Sequence, residues 1–469
     1  MKRIISFAAI LILILNMAAC STNVNAVAKT NGKTEGVTND SSSKPTLSVY
    51  YMLNTRYVYN AICEFKSLYS NVNIEQKLYT LNSLDDFNKS LTTEILSGGG
   101  PDVFICKPLR DVDSINRIFS NSAFVDLNEL ISKDDDFKLD NFDKNIFDIG
   151  VINGRREFVP LYYSTPLIFT TETVLKENGI SINEDCTIKE LDNVVDSFLK
   201  NNSHKSKYLV DCNFNFFYLL NFYGQSFIDY KNKKCDFDTS EFKDLLRLYK
   251  RMQPVIAPEN EFDGKNACSE LDYVKNNIVA MMTDTQGTIW NSFANNCFAR
   301  HYYNEDLKVV KISGSNGKIR PITTDVAAIN SNCRNKKLAY DFLKVLLSDE
   351  IQRMLYSKDN SNSPFNPVNN NTYYKELDKY SQPAENMGMG AFGLIEPGNK
   401  YVEVKLVTMP EALVSRIKGI KKDITQPIFL DNAIKTIILD TVKEYISGKN
   451  DEGKTAKLIN DKIQLFLNE

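Results

Sequence analysis

SLDDFNKSLTTEILSGGGPDVFIC, residues 83–106, decides the fold of this chain. Leu84, Phe87, Leu91, Ile95 and Leu96 recur near helical spacing, and Ser83 stands where an N-cap would. One glycine is enough to close such a helix. Three of them, followed by Pro101, turn the backbone sharply away and forbid the helix to continue. Asp102 is placed to satisfy backbone donors at a strand entrance, and VFIC (103–106) then reads as a buried parallel strand.

Upstream the same logic repeats. TLSVYYML (46–53) is rich in strand formers, and YVYNAICEFKSLYS (57–70) carries Val58, Ile62, Phe65 and Leu68 on one helical face. VNIEQKLY (72–79) alternates as a strand. The order β-α-β-α-β calls for a parallel sheet covered by helices on both faces. In such sheets a ligand sits beyond the carboxyl ends of the strands, which here brings LNTRY (53–57) and CKPLRD (106–111) to one crevice.

The chain has 469 residues, more than one hydrophobic core usually serves. A net charge of −3, with no basic tail or stripe, leaves no footprint of a nucleic-acid binder. The two histidines, His204 and His301, have no neighbouring ligand motif, so neither a metal site nor a histidine-assisted nucleophile is expected. Eight cysteines follow Cys20 without any CxxC pair. Cys63 and Cys106 sit where small buried hydrophobes would, so free buried thiols are the default over disulfides.

MKR followed by IISFAAILILIL is a basic n-region and an apolar stretch too short to span a bilayer, the pattern of a signal peptide over residues 1–20. NMAAC resembles the bacterial lipobox, with Met17 where leucine is usual, which implies a palmitate-type lipid on Cys20. The alternatives are ordinary secretion with cleavage near Ala19, or an uncleaved anchor. Residues 21–45 have a flexible-linker composition, suited to a tether.

The run SGGGPDVF after a βαβα unit resembles the family of extracellular solute-binding proteins that includes the maltose-binding protein. REFVPLYYSTPLIFTTETVLKENGI (156–180) resembles that family's proline–aromatic–strand–helix block, with Thr170 and Thr171 in place of its Tyr-Asn pair. TIKELDNVVDSF (187–198), opened by a Thr187/Glu190 capping box, resembles its next helix. YVKNNIVAMMTDT (273–285), the segment at 325–355, SPFNPV (363–368) and ISGKNDEGKTAKLINDKIQLFL (446–467) resemble later blocks in the same order. The resemblance covers most of residues 45–469.

It implies an α/β, two-lobed periplasmic-binding-protein-like fold, each lobe a mostly parallel sheet flanked by helices, with separate cores joined by crossover strands. Lobe one is expected at 45–155 plus 322–362, and lobe two at 156–321 plus 363–469. It further implies a lipid-anchored protein on the extracytoplasmic face of the membrane. This protein would be a monomer without cofactor, metal or catalysis, closing on a small solute and presenting it to ABC permease subunits. Carbohydrate is the first expectation, because such sites stack aromatic rings on sugar faces and bind hydroxyls with carboxylates, amides and arginines. The chain offers 23 tyrosines and a single tryptophan for such stacking.

Candidate contacts are Asn54 and Arg56 from the first loop, Lys107 from the third, and Tyr162 and Tyr163, of which one should face the crevice and one pack. Asp284, Asn366 and Trp290 complete the set, Trp290 either lining the crevice or packing in the core. GMGAFG (388–393) fits GxGxxG but lacks the flanking strand and helix of a dinucleotide site, and reads as a flexible loop. Two other functions compete: a surface glycoside hydrolase working through paired carboxylates, and a solute sensor without a permease.

Overall fold

The computed structural model describes residues 44–52, 56–95, 97–107, 118, 123–262, 270–353, 365–387, 390–396, 400–427 and 431–469. The signal segment, Cys20, nearly all of the linker, Asn54 and the Arg56 side chain lie outside the described residues. β1 (Thr46–Met52), β2 (Asn73–Tyr79) and β3 (Val103–Cys106) lie in the order β3-β1-β2, all parallel, as the 46–106 pattern requires. Gly98 and Gly100 take φ of +85° and +87°, conformations that an L side chain resists. Asp102 finds its donors across the sheet, not locally: its Oδ2 accepts from both Ser48 N and Ser48 Oγ at 2.8 Å, pinning β3 to β1. Ser83 does not begin the helix before it. A 3₁₀ turn, Leu81–Ser83, comes first, and Ser83 Oγ accepts from the Thr80 N–H at 2.8 Å. The helix Leu84–Lys89 then widens into a π turn, Ser90–Glu94.

The chain continues through β4 (Val159–Ser164), β5 (Leu167–Thr170), β6 (Asp185–Thr187), β7 (Tyr208–Val210), β8 (Val279–Asp284), β9 (Lys308–Ser313), β10 (Ile322–Ile329) and β11 (Asn366–Pro367). These build two sheets, β11-β4-β10-β3-β1-β2 and β6-β9-β5-β8-β7. Val159–Ser164 and Asn366–Pro367, grouped with lobe two from sequence, hydrogen-bond in the first sheet. Only Thr165 and Pro166 separate β4 from β5, and residues 314–321 separate β9 from β10. A third crossing follows β11, because the C-terminal helix Glu452–Asn468 packs on lobe two, where Asn460 Oδ1 accepts from Phe237 N at 3.0 Å. β5, β10 and β11, which run against their neighbours, all adjoin crossings. A strand arriving from the other sheet enters from the crevice end, so β5 and β10 must run backwards.

The local signals hold where they are strongest. Thr187 N donates to Glu190 Oε2 at 2.7 Å, and Glu190 N to Thr187 Oγ1 at 3.1 Å, closing the capping box. Separate cores do not appear. One apolar cluster runs from Leu47 and Val49 through Leu167 and Ile168 to Val279 and Ile463, because the crossover strands are themselves apolar. A second cluster, including Phe104, Phe124 and Phe158, covers the other face of the first sheet. The seven described cysteines are free thiols, and Cys63 is exposed where a buried thiol was expected, since the helix Arg56–Leu68 turns it outward. Gly388 and Met389 of GMGAFG lie outside the described residues, and its last three residues, 391–393, belong to a strand where a loop was expected: β12 (Ala391–Glu396) pairs with β13 (Lys400–Lys405) as a hairpin. No described helix is long and apolar enough to cross a membrane.

Candidate functional site

The carboxyl ends of β1, β3 and β4, the amino end of β10 and the entry of β11 meet on one side of the first sheet. Asp325 occupies that edge with its side chain almost wholly buried. Lys107, the residue after β3, places Nζ 3.9 Å from Asp325 Oδ2 and 4.5 Å above the Phe365 ring. Tyr57 packs edge-on to Tyr162 with centroids 4.8 Å apart. Burial, and then the Asp325 carboxylate, hold the pKa of both hydroxyls well above the ordinary range. Lobe one thus brings two of the expected residues, Lys107 and Tyr162, to an aspartate that the sequence reading passed over. Its only signal was an acid within the strand ITTDVAAI, directly before its apolar half.

Lobe two presents a different edge. Parallel pairing of β7 and β8 sets Asp211 beside Thr283, whose N–H donates to Asp211 Oδ1 at 3.0 Å. Asp284 closes β8, and its Oδ1 accepts from Gln286 N and Asn291 Nδ2, both at 3.0 Å. Burial raises both carboxyls to about 6. Glu270 is raised to about 7 by burial and then by the charges of Asp284 and Asp211. Glu270 is nonetheless exposed by area. Among the described residues no cation contributes to holding these three acids ionised. Among the described residues no three His, Cys, Asp or Glu side chains are grouped to hold a metal ion.

Other expected residues stiffen the crossings. Tyr162 and Tyr163 are both buried, because β4 lies between β10 and β11, so neither opens to solvent. The Tyr163 hydroxyl accepts from Lys421 Nζ at 3.2 Å. Lys421 is also 3.2 Å from Asp143 Oδ2, a buried pair that ties the C-terminal segment to the helix Lys144–Phe147. Asn366 Nδ2 donates to Gly287 O at 2.9 Å, and Thr165 N donates to Gln286 O at 3.0 Å. Gly287 has φ +52°, and a Cβ there would lie 1.7 Å from Thr165 O. Trp290 packs in the core, 5.8 Å from each of Phe293, Tyr380 and Phe392.

A separate concavity of about 740 Å³ lies between residues 149–154 and 226–231, with Arg320, Gln426 and Pro427 also lining it. Its lining includes Arg320, from the segment that follows the carboxyl end of β9, but none of Lys107, Asp325, Asp211, Asp284 or Glu270.

Residues 54–353 match the family model described as bacterial extracellular solute-binding protein. Among solved structures the chain is similar to a sugar-binding protein, MalE, of Xanthomonas citri, with 13% identity, TM-score 0.65, and 90% of this chain and 97% of that one covered. An ABC substrate-binding protein of Listeria monocytogenes, solved in complex with cycloalternan, gives 14% identity, TM-score 0.60, and coverage of 91% and 99%. A cyclic alpha-maltosyl-1,6-maltose binding protein of Arthrobacter globiformis gives 17% identity, TM-score 0.59, and coverage of 90% and 99%. No curated protein sequence matches the chain.

Proposed function

Because the chain belongs to the bacterial extracellular solute-binding protein family, we propose that it captures a carbohydrate between its two lobes and hands it to ABC permease subunits, held at the membrane by a lipid on Cys20. The observation that carries capture is the pair of sheets whose carboxyl ends meet across three crossings. A solute touching both edges favours the closed arrangement because only closure completes its contacts. Solved structures of this fold that bind sugars support the choice of solute class. Asn54, Arg56 and Lys107 are the proposed contacts from lobe one, and Glu270 the one from lobe two. Tyr162, Tyr163, Asp284, Trp290 and Asn366 would shape the walls from behind.

The purified chain should gain about 2.7 kcal/mol of stability at a hundredfold excess of the right saccharide over Kd, read as a thermal shift across mono- and oligosaccharides. It should release no reducing ends from them. Turnover of any oligosaccharide would replace capture by hydrolysis. Radiolabelled palmitate should enter the wild-type chain in a bacterial host and not Cys20→Ser.

A further inference from the structure

Arg320 sits on the 314–321 crossing and spends three N–H groups on backbone carbonyls. Nε donates to Gln426 O at 3.1 Å, Nη1 to Gln225 O at 3.2 Å and Nη2 to Pro427 O at 3.1 Å. Carbonyls orient a guanidinium but do not neutralise it, and among the described residues no carboxylate pairs with Arg320. Burial draws its pKa down to about 10, the direction expected of a cation lacking a counter-charge. Lys231 lines the same 740 Å³ concavity. Asp229, the one acid among the lining residues, is already engaged by Asn232 N at 3.1 Å and Asn232 Nδ2 at 2.7 Å. Tyr230 completes that wall, its hydroxyl accepting from Asp431 N at 3.4 Å. A guanidinium has five donors, so two N–H groups of Arg320 remain for an oxyanion. The volume lies within the ~300–1,000 Å³ typical of small-molecule sites.

We propose that this concavity is a second binding site, for a small molecule carrying a carboxylate or phosphate, held by Arg320. One wall belongs to the 151–156 hairpin of lobe one and the other to residues 226–231 of lobe two, while Arg320 lies on the chain that joins them. Filling the site therefore fixes the spacing of the lobes, and by linkage any change it makes in solute affinity is returned by the solute to the anion. This coupling, though not the site itself, rests on the capture reading.

The test is calorimetric titration of citrate and, separately, inorganic phosphate into the full chain, with chloride as the control. At least one of the two should bind, and Arg320→Met should weaken it about tenfold or more while the circular dichroism spectrum stays near wild type, although three carbonyls left without their donor lower the unfolding midpoint. Val151→Trp fills the concavity from the opposite wall without touching Arg320, and should block the same anion if Arg320→Met does not fold. Saturating anion should shift saccharide affinity about fivefold, within the usual range of coupled sites. No binding of either oxyanion, or binding indifferent to both substitutions, overturns the site. Unchanged saccharide affinity overturns the coupling. Loss of saccharide binding in Arg320→Met without any anion present would make this concavity the solute site and overturn the two-site arrangement. If the wild type takes no saccharide, capture fails, and the anion titration still decides the site by itself.

Discussion

The two edges that face each other across the crossings carry their acids in opposite ways. On lobe one, Asp325 is buried beside Lys107, with Tyr57 and Tyr162 packed around it. On lobe two, Asp211 and Asp284 are buried beside amides and backbone N–H groups, with Glu270 adding charge of the same sign. Hydrogen bonds orient an ionised carboxylate but only partly replace its lost hydration, whereas a neighbouring cation offsets much of that loss. The lobe-one edge is therefore held together by its charge, and the lobe-two edge is strained by it.

The sharpest way to break the contrast is to detach the lobe-two edge from the crossings. Gly287 holds that edge against Thr165, and a Cβ would sit 1.7 Å from Thr165 O and 2.7 Å from its carbonyl carbon, at a φ of +52°. Two backbones cannot move apart as a flexible side chain would. Gly287→Ala should cost about 4 kcal/mol in urea unfolding, the range of severe backbone clashes. A loss under about 1 kcal/mol would mean that the loop is not anchored there.

A smaller effect is expected on lobe one. Asp325→Asn keeps the shape and removes the charge that faces Lys107, whose side chain is 16% exposed, at 3.9 Å. Breaking a largely buried pair in this way should cost about 2 kcal/mol at neutral pH, measured from the same urea midpoints. A neutral or stabilising result would remove the distinction between the edges.

Much of this arrangement was legible beforehand. The fold followed from 46–106 because glycine, proline and strand alternation act locally. The crossover block at 156–180 was legible for the same reason. What stayed hidden depends on pairing between distant segments. Asp325 and Lys107 are 218 positions apart in number yet share an ion pair, and nothing in either local pattern says so. Asp284 was singled out as a ligand for the solute, but its Oδ1 is spent on Gln286 and Asn291 a few residues downstream. Both tyrosines disappeared into the core because β11, a two-residue strand too short to show periodicity, covers the outer side of β4. The merged core escaped for a related reason: apolar crossover strands look the same whether they separate two cores or join them.

The finest discrimination comes from making the lobe-one substitution on the other lobe. Asp211 and Asp284 have folded-state values of about 6, against 3.8 when unperturbed. The folded chain therefore binds more protons than the unfolded one across that interval, so stability falls as pH rises from about 4 through about 6, and the full cost is present at neutral pH. Carboxyls held below their ordinary range, such as Asp185 beside Arg416 and Lys311 and Asp423 beside Lys311 and Lys318, act with the opposite sign. They lose their contribution only below about pH 4, outside the window. Asp284→Asn keeps an oxygen for Gln286 N and deletes the charge. Stability at about pH 7.5 should thus rise by about 1 kcal/mol, and the fall between about pH 5 and 7.5 should shrink by a similar amount. The same Asp-to-Asn change would then stabilise one edge and destabilise the other. A loss at both positions in urea midpoints would show that Asp284 is held by charge after all.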